Sequence, residues 1–575
     1  MSIQTDRTRT ASRRITAFGG IRRTERISDV GAMQMKNLRI LPDGSLKRRC
    51  GYVTVLDADG KLRGYWEGGL AGKRYVFYVA ARTVYRLSST DTSPVALQTI
   101  AASEDAVTFF KFRESLYLAD GHSLLVFRPS SGLFSTSQGY VPLYGKDWHP
   151  TQLGEVHEPR NLFCNSIRVH YVNTVASQTF RLPFTATRIQ SVIVNGTRIT
   201  NYTFTSPSAT VTIPSSYAVG GDVLIACDLD PVFSGREAVL KASHAAVYCD
   251  GYRETLYTYG GGSGYRLYRT AVVDGEMLAG SQDCYPSSDG MYFRAQDVFA
   301  LGNDSHPITA AIQHLNRMLV FSDDTLWVLK YPLSTRDEVE LVGCQSGLGC
   351  VATDGAVLCR GTPTVLSSSG VARIGLLGDD PDLRKLTVIS SDVADRLTDE
   401  VLRRCVLCWN ERDGQLWIRD TADTTGTVWL TDPDGKCWVR YTGIAANRLI
   451  DRSGKPGFTT DDGGIAEFRD ELNTDDGKVF EASYTSSYLD FGTPEAFKRS
   501  GSLSLCADSG GGRIYITVET ENAMRTYRLD GTARQPPECF ERRFCVGRFR
   551  FLRYWITLTD GAPSRILSLT VKVCT

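Results

Sequence analysis

The chain has 575 residues, 42% of them apolar and 22% charged, with a net charge of +1. This length exceeds one ordinary hydrophobic core and predicts about two to four domains, and the near-zero charge excludes a global basic field that would draw in nucleic acid. No run of about 18 apolar residues occurs, so no transmembrane helix and no membrane insertion are expected.

Charge is uneven at the start, where residues 1–50 carry 12 Lys/Arg against 4 Asp/Glu. MSIQTDRTRTASRR, residues 1–14, is polar, contains Arg7, Arg9, Arg13 and Arg14, and lacks the apolar segment of a secretory signal. With so few apolar groups to offset the entropy of ordering, this arm is expected to order only against a partner. MQMKNLRILPDGSLKRRCGY follows, Met33 to Tyr52. Asp43-Gly44 predicts a hairpin tip, with Ser45 holding the turn through its hydroxyl. On the strand after it, Lys47 and Arg49 share one face and Arg48 takes the other.

From there the pattern is overwhelmingly β. RYVFYVAARTVYRL (Arg74 to Leu87) predicts two strands about a tight turn, and VTFFKFRESLYLADGHSLLVF (Val107 to Phe127) two or three more. The plan repeats at Ile308–Leu329, Gly355–Ile374, Gly414–Tyr441 and Pro456–Phe468. An apolar strand ends in Asp, Ser or Thr, a tight turn follows, and a second apolar strand returns. Hairpins recurring roughly every 40–50 residues are the signature of propeller blades, and an array of sandwiches is the competing reading. Ser166–Asp230 breaks the series, being poor in acids and rich in Thr, Val and Ile. Its Asn195-Gly196 predicts a type I′ hairpin, and the whole predicts a small inserted β-sandwich. One helix is expected over Ser391–Arg404, from Val393, Leu397 and Val401 at helical spacing with Ser391 as N-cap. After about Lys478 a terminal all-β module follows.

Chemical signatures are weak. Fifteen cysteines, an odd number without a framework, predict free thiols in a reducing compartment. Cys405 and Cys408 form the CxxC, but residues three apart on a strand face opposite ways, a poor metal or redox site. The seven histidines show no ligand or triad spacing, and nothing selects a catalytic carboxylate pair. YGGGSGY (Tyr259 to Tyr265) lacks the lysine and helix of a phosphate loop and predicts a hairpin tip. No catalytic residue, metal or cofactor is therefore expected. RRFCVGRFRFLRYW (Arg542 to Trp555) places Arg548 and Arg550 on one face and Phe549 and Phe551 on the other. That suits a nucleic-acid platform and equally an ordinary in-out strand.

FGGIRRTERISDVGAMQMKNLRILPDGSLKRRCGY (Phe18 to Tyr52) resembles the opening of tail hub and nozzle proteins of tailed phages, including packaged-DNA stabilisation proteins and tail tubular B-like proteins. The matching residues are Gly19, Gly20, Asn37, Asp43, Gly44, Ser45, Leu46, Arg48, Arg49, Gly51 and Tyr52. Cys50 stands where that pattern has proline or a small residue. PITAAIQHLNRMLVFSDDTLWVL, GCQSGLGCVATDGAVLCRGTPTVLSSSGVARI and YLDFGTPEAFK resemble later parts of the same proteins, so the likeness spans most of the chain but leaves out 153–236.

The combined expectation is an all-β chain. Residues 1–52 form an arm and first hairpin, 53–152 and 237–478 propeller blades, 153–236 the inserted β-sandwich and 479–575 the C-terminal β-module. The resemblance implies a non-enzymatic virion protein, assembled in the host cytoplasm. It would form a homo-oligomeric ring below portal and adaptor, helping to build the DNA conduit and retain packaged DNA. It places Lys47, Arg48, Arg49, Arg13, Arg14, Arg548 and Arg550 as candidates for subunit contact or transient, sequence-independent contact with double-stranded DNA. The alternatives are a receptor- or glycan-binding propeller at the tail tip, with or without glycosidase activity, and a cellular propeller scaffold.

Overall fold

The computed structural model describes residues 10–574 apart from 24–30, 59, 89–92, 102–106, 173–177, 218–220, 230–233, 261–263, 333–336, 453 and 533–536. With 56% strand and 4% helix, the chain is all-β. It divides into two compact units, one of residues 1–62 and 348–575, the other of residues 63–347. Among the described residues no helix is long and apolar enough to cross a membrane.

Four antiparallel four-stranded sheets run through the second unit. Sheet I spans Leu62–Leu70, Lys73–Ala80, Thr83–Ser88 and Val95–Thr99; sheet II, Thr108–Phe112, Ser115–Ala119, Leu124–Arg128 and Leu133–Thr136. Sheet III spans His244–Cys249, Glu254–Tyr259, Arg266–Thr270 and Phe293–Ala300; sheet IV, Ala310–His314, Arg317–Phe321, Thr325–Lys330 and Glu340–Ser346. Successive sheets bury their apolar faces on one another. Phe77 and Val79 of sheet I share a core with Leu116, Leu118 and Phe127 of sheet II. Phe112 and Tyr117 of sheet II share the next with Leu256 and Tyr268 of sheet III. Tyr257 and Leu267 of sheet III then meet Met318 and Val320 of sheet IV. A lone four-stranded sheet cannot bury both faces, so each needs its neighbour.

Between sheets II and III lies the inserted segment. Its strands are Leu143–Trp148, Ser166–Tyr171, Thr179–Val194, Thr197–Ile199, Ser208–Thr212 and Val223–Leu229. They are linked by hydrogen bonds into one six-stranded sheet. The 16-residue strand Thr179–Val194 makes this possible: one half pairs with Ser208–Thr212 and the other with Val223–Leu229, with register shifts between. The sheet wraps its own core of Val169, Tyr171, Phe180, Val192 and Ile225. Asn195 and Gly196 both take positive φ, 48° and 77°, between the paired Val194 and Thr197, which is the type I′ turn that the dipeptide predicts.

In the first unit, sheet V spans Ala356–Cys359, Thr362–Ser367, Gly370–Leu377 and Asp380–Val388. Sheet VI begins with Cys405–Asn410, Gln415–Asp420, Val428–Thr431 and Val439–Tyr441, then continues through Ala32–Lys36, Ala482–Ser486, Leu552–Leu558, Arg513–Thr520 and Met524–Asp530 to nine strands. Sheet VII spans Arg448–Arg452, Lys455–Thr459 and Gly464–Arg469, and takes its fourth strand, Gly51–Asp57, from near the start of the chain. A six-stranded sheet joins Leu38–Ile40, Leu46–Arg48, Arg565–Cys574, Lys498–Asp508 and Glu538–Phe549, with Thr10–Ile15 paired to Arg565–Cys574. The N-terminal segment is thus woven into three sheets, and the C-terminal strands share sheet VI with the strands before them.

The helices differ from expectation. Ser391–Arg404 is a 3₁₀ turn, Ser391–Val393, and a short α-turn, Asp399–Leu402. Val393 and Leu397 are buried and Val401 half-buried all the same, so the apolar spacing marks an inward-facing loop, not a continuous helix. Two helices carry no strong apolar period in sequence: Ser234–Leu240 and Gly275–Cys284, the latter capped by Asp274 accepting from the Met277 N–H at 2.9 Å.

Candidate functional site

The Asp43-Gly44 tip forms as predicted. Gly44 has φ +81°, and the Ser45 hydroxyl donates to Asp43 Oδ1 at 2.6 Å. Arg565 adds an ion pair to Asp43 and donates to Ser45 Oγ at 2.9 Å.

The basic strand after the tip does not present its arginines. Arg48 is 1% exposed and donates to the carbonyls of Phe480 at 2.7 Å and Leu558 at 3.0 Å. Arg49 is 0% exposed. Its two terminal nitrogens donate to both oxygens of Asp475, at 2.9 and 2.6 Å, its Nε donates to Asn37 Oδ1 at 3.0 Å, and its guanidinium lies 3.8 Å from the Phe480 ring centre. Burial pushes the Asp475 carboxyl up, against the lowering effect of Arg49. Arg48 and Arg49 are therefore withdrawn as DNA or subunit contacts: the carbonyls of Phe480 and Leu558 and the carboxylate of Asp475 turn both side chains inward. Lys47 stays half-buried, and among the described residues it makes no ion pair.

Residues 1–9 of the arm lie outside the described residues. The rest corrects the expectation of an arm without structure of its own, because Thr10–Ile15 is a strand in full antiparallel register with Leu569–Cys574. Arg13 and Arg14 are exposed on it.

Arg548 and Arg550 are brought together at the far end of the strand Glu538–Phe549. Both are exposed, and their guanidiniums lie 5.7 and 4.6 Å from the centre of one ring, Phe497, itself 47% exposed. Gly547, at φ +75°, turns the chain and lets Phe549 become fully buried while the arginines face out. The carboxylate of Glu521 is spent on the backbone N–H groups of Arg550 and Phe551, at 3.0 and 2.8 Å. Among the described residues Arg548 and Arg550 make no ion pair, and neither do Arg542 and Arg543 on the same strand nor Arg499 on its neighbour. An exposed ring held by two guanidiniums keeps their charge available to phosphates while restricting the side chains.

Other clusters are self-contained. Arg269 and Arg294 are matched by Asp297 and Asp337, all largely buried. Each carboxylate there faces a guanidinium, which suits structure better than proton transfer. His306, Asp323 and Asp324 place ligand atoms within 4.8 Å of one another, the one such three-residue group among the described residues. Sequence reasoning missed it, because His306 precedes the hairpin whose tip carries both aspartates. Their donor atoms are already engaged: His306 Nδ1 contacts Asp323 Oδ1 at 2.7 Å, and Asp324 accepts from Ser322 and Thr325. Cys405 and Cys408 sit on one strand with thiols pushed up to about 12, chiefly by burial. The thiols are mostly free, as expected: thirteen of the fifteen cysteines form no disulfide, and Cys506 and Cys539, directly opposed on neighbouring strands, form one.

No protein-family model matches the chain, and no curated protein does. Solved structures similar to it include an exo-β-1,3-galactanase from Phanerochaete chrysosporium, at 10% identity and TM-score 0.23 over 57% of this chain and 95% of that one. The AfRom2 CNH domain is similar at 8% identity and TM-score 0.34, over 73% and 99%. A functionally unknown protein from Desulfotomaculum acetoxidans is similar at 10% identity and TM-score 0.32, over 70% and 87%.

Proposed function

We propose that the protein is a structural component of a phage tail, a hub or nozzle subunit whose four-stranded antiparallel sheets are propeller blades. The observation that carries this reading is the strand Gly51–Asp57, which completes sheet VII beside Gly464–Arg469. It follows directly on the Asp-Gly-Ser-Leu to Gly-Tyr motif that resembles the tail hub and nozzle proteins. A strand from the start of the chain that completes the last sheet is how a propeller ties its ends together, and it explains why the motif stands where it does. In this reading the inserted sheet and the terminal β-module are attachments on the propeller. Copies of the chain form a ring below portal and adaptor, and Arg548 and Arg550 with Phe497 offer DNA a phosphate-binding surface without base readout. The subunit is non-enzymatic and resides in the virion tail.

Electron microscopy of the purified full chain, and of particles labelled with an antibody to it, tests the reading. A symmetric ring, and label at the tail below the portal, are expected. A monomer at all concentrations together with unlabelled particles would overturn it.

A further inference from the structure

A cavity of about 210 Å³ lies within the first unit, apart from any residue used above as a contact. One wall is the strand Ala32–Lys36, through Met33, Gln34 and Met35. A second is the directly opposed pair Trp429 and Arg440 of sheet VI. The third is the turn that carries Asp392, Asp395 and Arg396, and Arg22 and Arg23 complete the lining.

Among the described residues its charges do not balance: four guanidiniums face two carboxylates. Arg22 pairs with Asp392 at 2.7 Å, and Arg396 with Asp395 at 3.0 Å. Arg23 and Arg440 are left without an ion pair among the described residues. Arg440 Nε is buried and has no hydrogen-bond partner. Burial, and then the like charge of Arg396, push the Arg440 pKa down. A half-buried guanidinium with an unpartnered buried N–H and no counter-charge among the described residues is unfavourable, and an anion accepting hydrogen bonds from it removes that cost. The other side of the cavity is apolar: Trp429 is 9% exposed and Met35 fully buried. At about 30 Å³ per water, the volume suits a ligand of about seven heavy atoms.

We propose that this cavity binds a small organic anion, a carboxylate or a phosphate ester, its charged head held by Arg440 and Arg23 and its short apolar part against Trp429. Titration calorimetry and tryptophan fluorescence on the full chain test this with pentanoate, ethyl phosphate and inorganic phosphate. Saturable binding of pentanoate or ethyl phosphate is expected, with a fluorescence change that Trp429→Phe abolishes. Preference between the two identifies the head group, and weaker binding of inorganic phosphate confirms the apolar part. Arg440→Met should weaken binding about 10–100-fold, as expected for a hydrogen bond to a charged group. Because that substitution lies within the fold, exposed Arg23→Gln serves as a second variant, weakening binding with an unchanged melting temperature. Asp395→Asn removes an opposing carboxylate and should tighten it. Absence of saturable binding by all three probes up to about 10 mM, a range that covers affinities weaker than 4 kcal/mol, overturns the proposal. So does binding that Arg440→Met and Arg23→Gln leave unchanged, or a fluorescence change that survives Trp429→Phe.

Discussion

Arg48 and Arg49, near the start of the chain, are 1% and 0% exposed, whereas Arg548 and Arg550, near its end, are open to solvent. Both pairs sit at the end of a basic strand of the first unit, and both lean on a phenylalanine, Phe480 in one case and Phe497 in the other. The difference lies in what faces them. Arg49 meets a carboxylate in bidentate geometry, and Arg48 meets two carbonyls, so their charges are consumed within the fold. The acid beside Arg550, Glu521, is instead taken up by backbone N–H groups. Local charge density does not decide whether a basic stretch stays open to solvent; the supply of buried acceptors does.

Breaking the buried pair should have the largest effect. Arg49→Met or Asp475→Asn each leaves one buried polar partner unmatched and should cost about 3–5 kcal/mol. Urea unfolding followed by tryptophan fluorescence reads this directly. A loss below about 1 kcal/mol for both, the range of an exposed pair, would show that water reaches the site and that the two regions do not differ as described.

Truncation through Arg14 should fall between the extremes. It removes the strand Thr10–Ile15 from the edge of the six-stranded sheet and with it several backbone hydrogen bonds, each contributing about 0.5–1.5 kcal/mol net. A loss on the order of 1–3 kcal/mol is expected, larger than that of any surface substitution. An unchanged melting temperature would mean that the strand adds nothing to the sheet.

Arg548→Ala with Arg550→Ala should leave stability within about 0.5 kcal/mol. The effect should appear in DNA binding instead. Removing two phosphate contacts lowers the slope of log affinity against log salt by about 2 on double-stranded DNA. An unchanged slope would remove these residues from the proposed DNA contact, and Lys47→Ala serves as the control from the other region.

The hairpins were legible because alternation and turn residues are local. Asn195-Gly196 and Asp43-Gly44 each announce their turn within a few residues. What was not legible depends on distant partners. Nothing around Arg49 signals Asp475, 426 residues away. Cys506 and Cys539 are opposed only because their strands pair in one register. The strand Thr10–Ile15 looks like a polar arm because its partner is the other end of the chain. The inserted segment's strands are linked through the register shifts of a single long strand, which the in-out pattern does not encode.

The smallest effect should come from a pair that is exposed yet well formed, and it separates geometry from burial. His306 Nδ1 contacts Asp323 Oδ1 at 2.7 Å, close to the 2.6 Å of the Arg49–Asp475 pair. Its side chain is 43% exposed, where that of Arg49 is 0%. The hydrogen bond to Asp323, and then the charge of Asp323, raise the His306 pKa above its ordinary value. A histidine with a raised folded pKa adds stability that is fully present below its unfolded pKa and is lost as pH rises through the folded one. The pair should therefore help at mildly acidic pH and contribute nothing in alkali. Screening by solvent and salt keeps the contribution small. A proton NMR titration of the His306 ring should give a midpoint above about 6.5, the unperturbed value. Asp323→Asn, or added salt, should bring it down. A midpoint at or below the ordinary value in the unmodified chain would mean that the contact is not held in solution. It would also make burial, not contact distance, the quantity that separates functional from structural charge in this molecule.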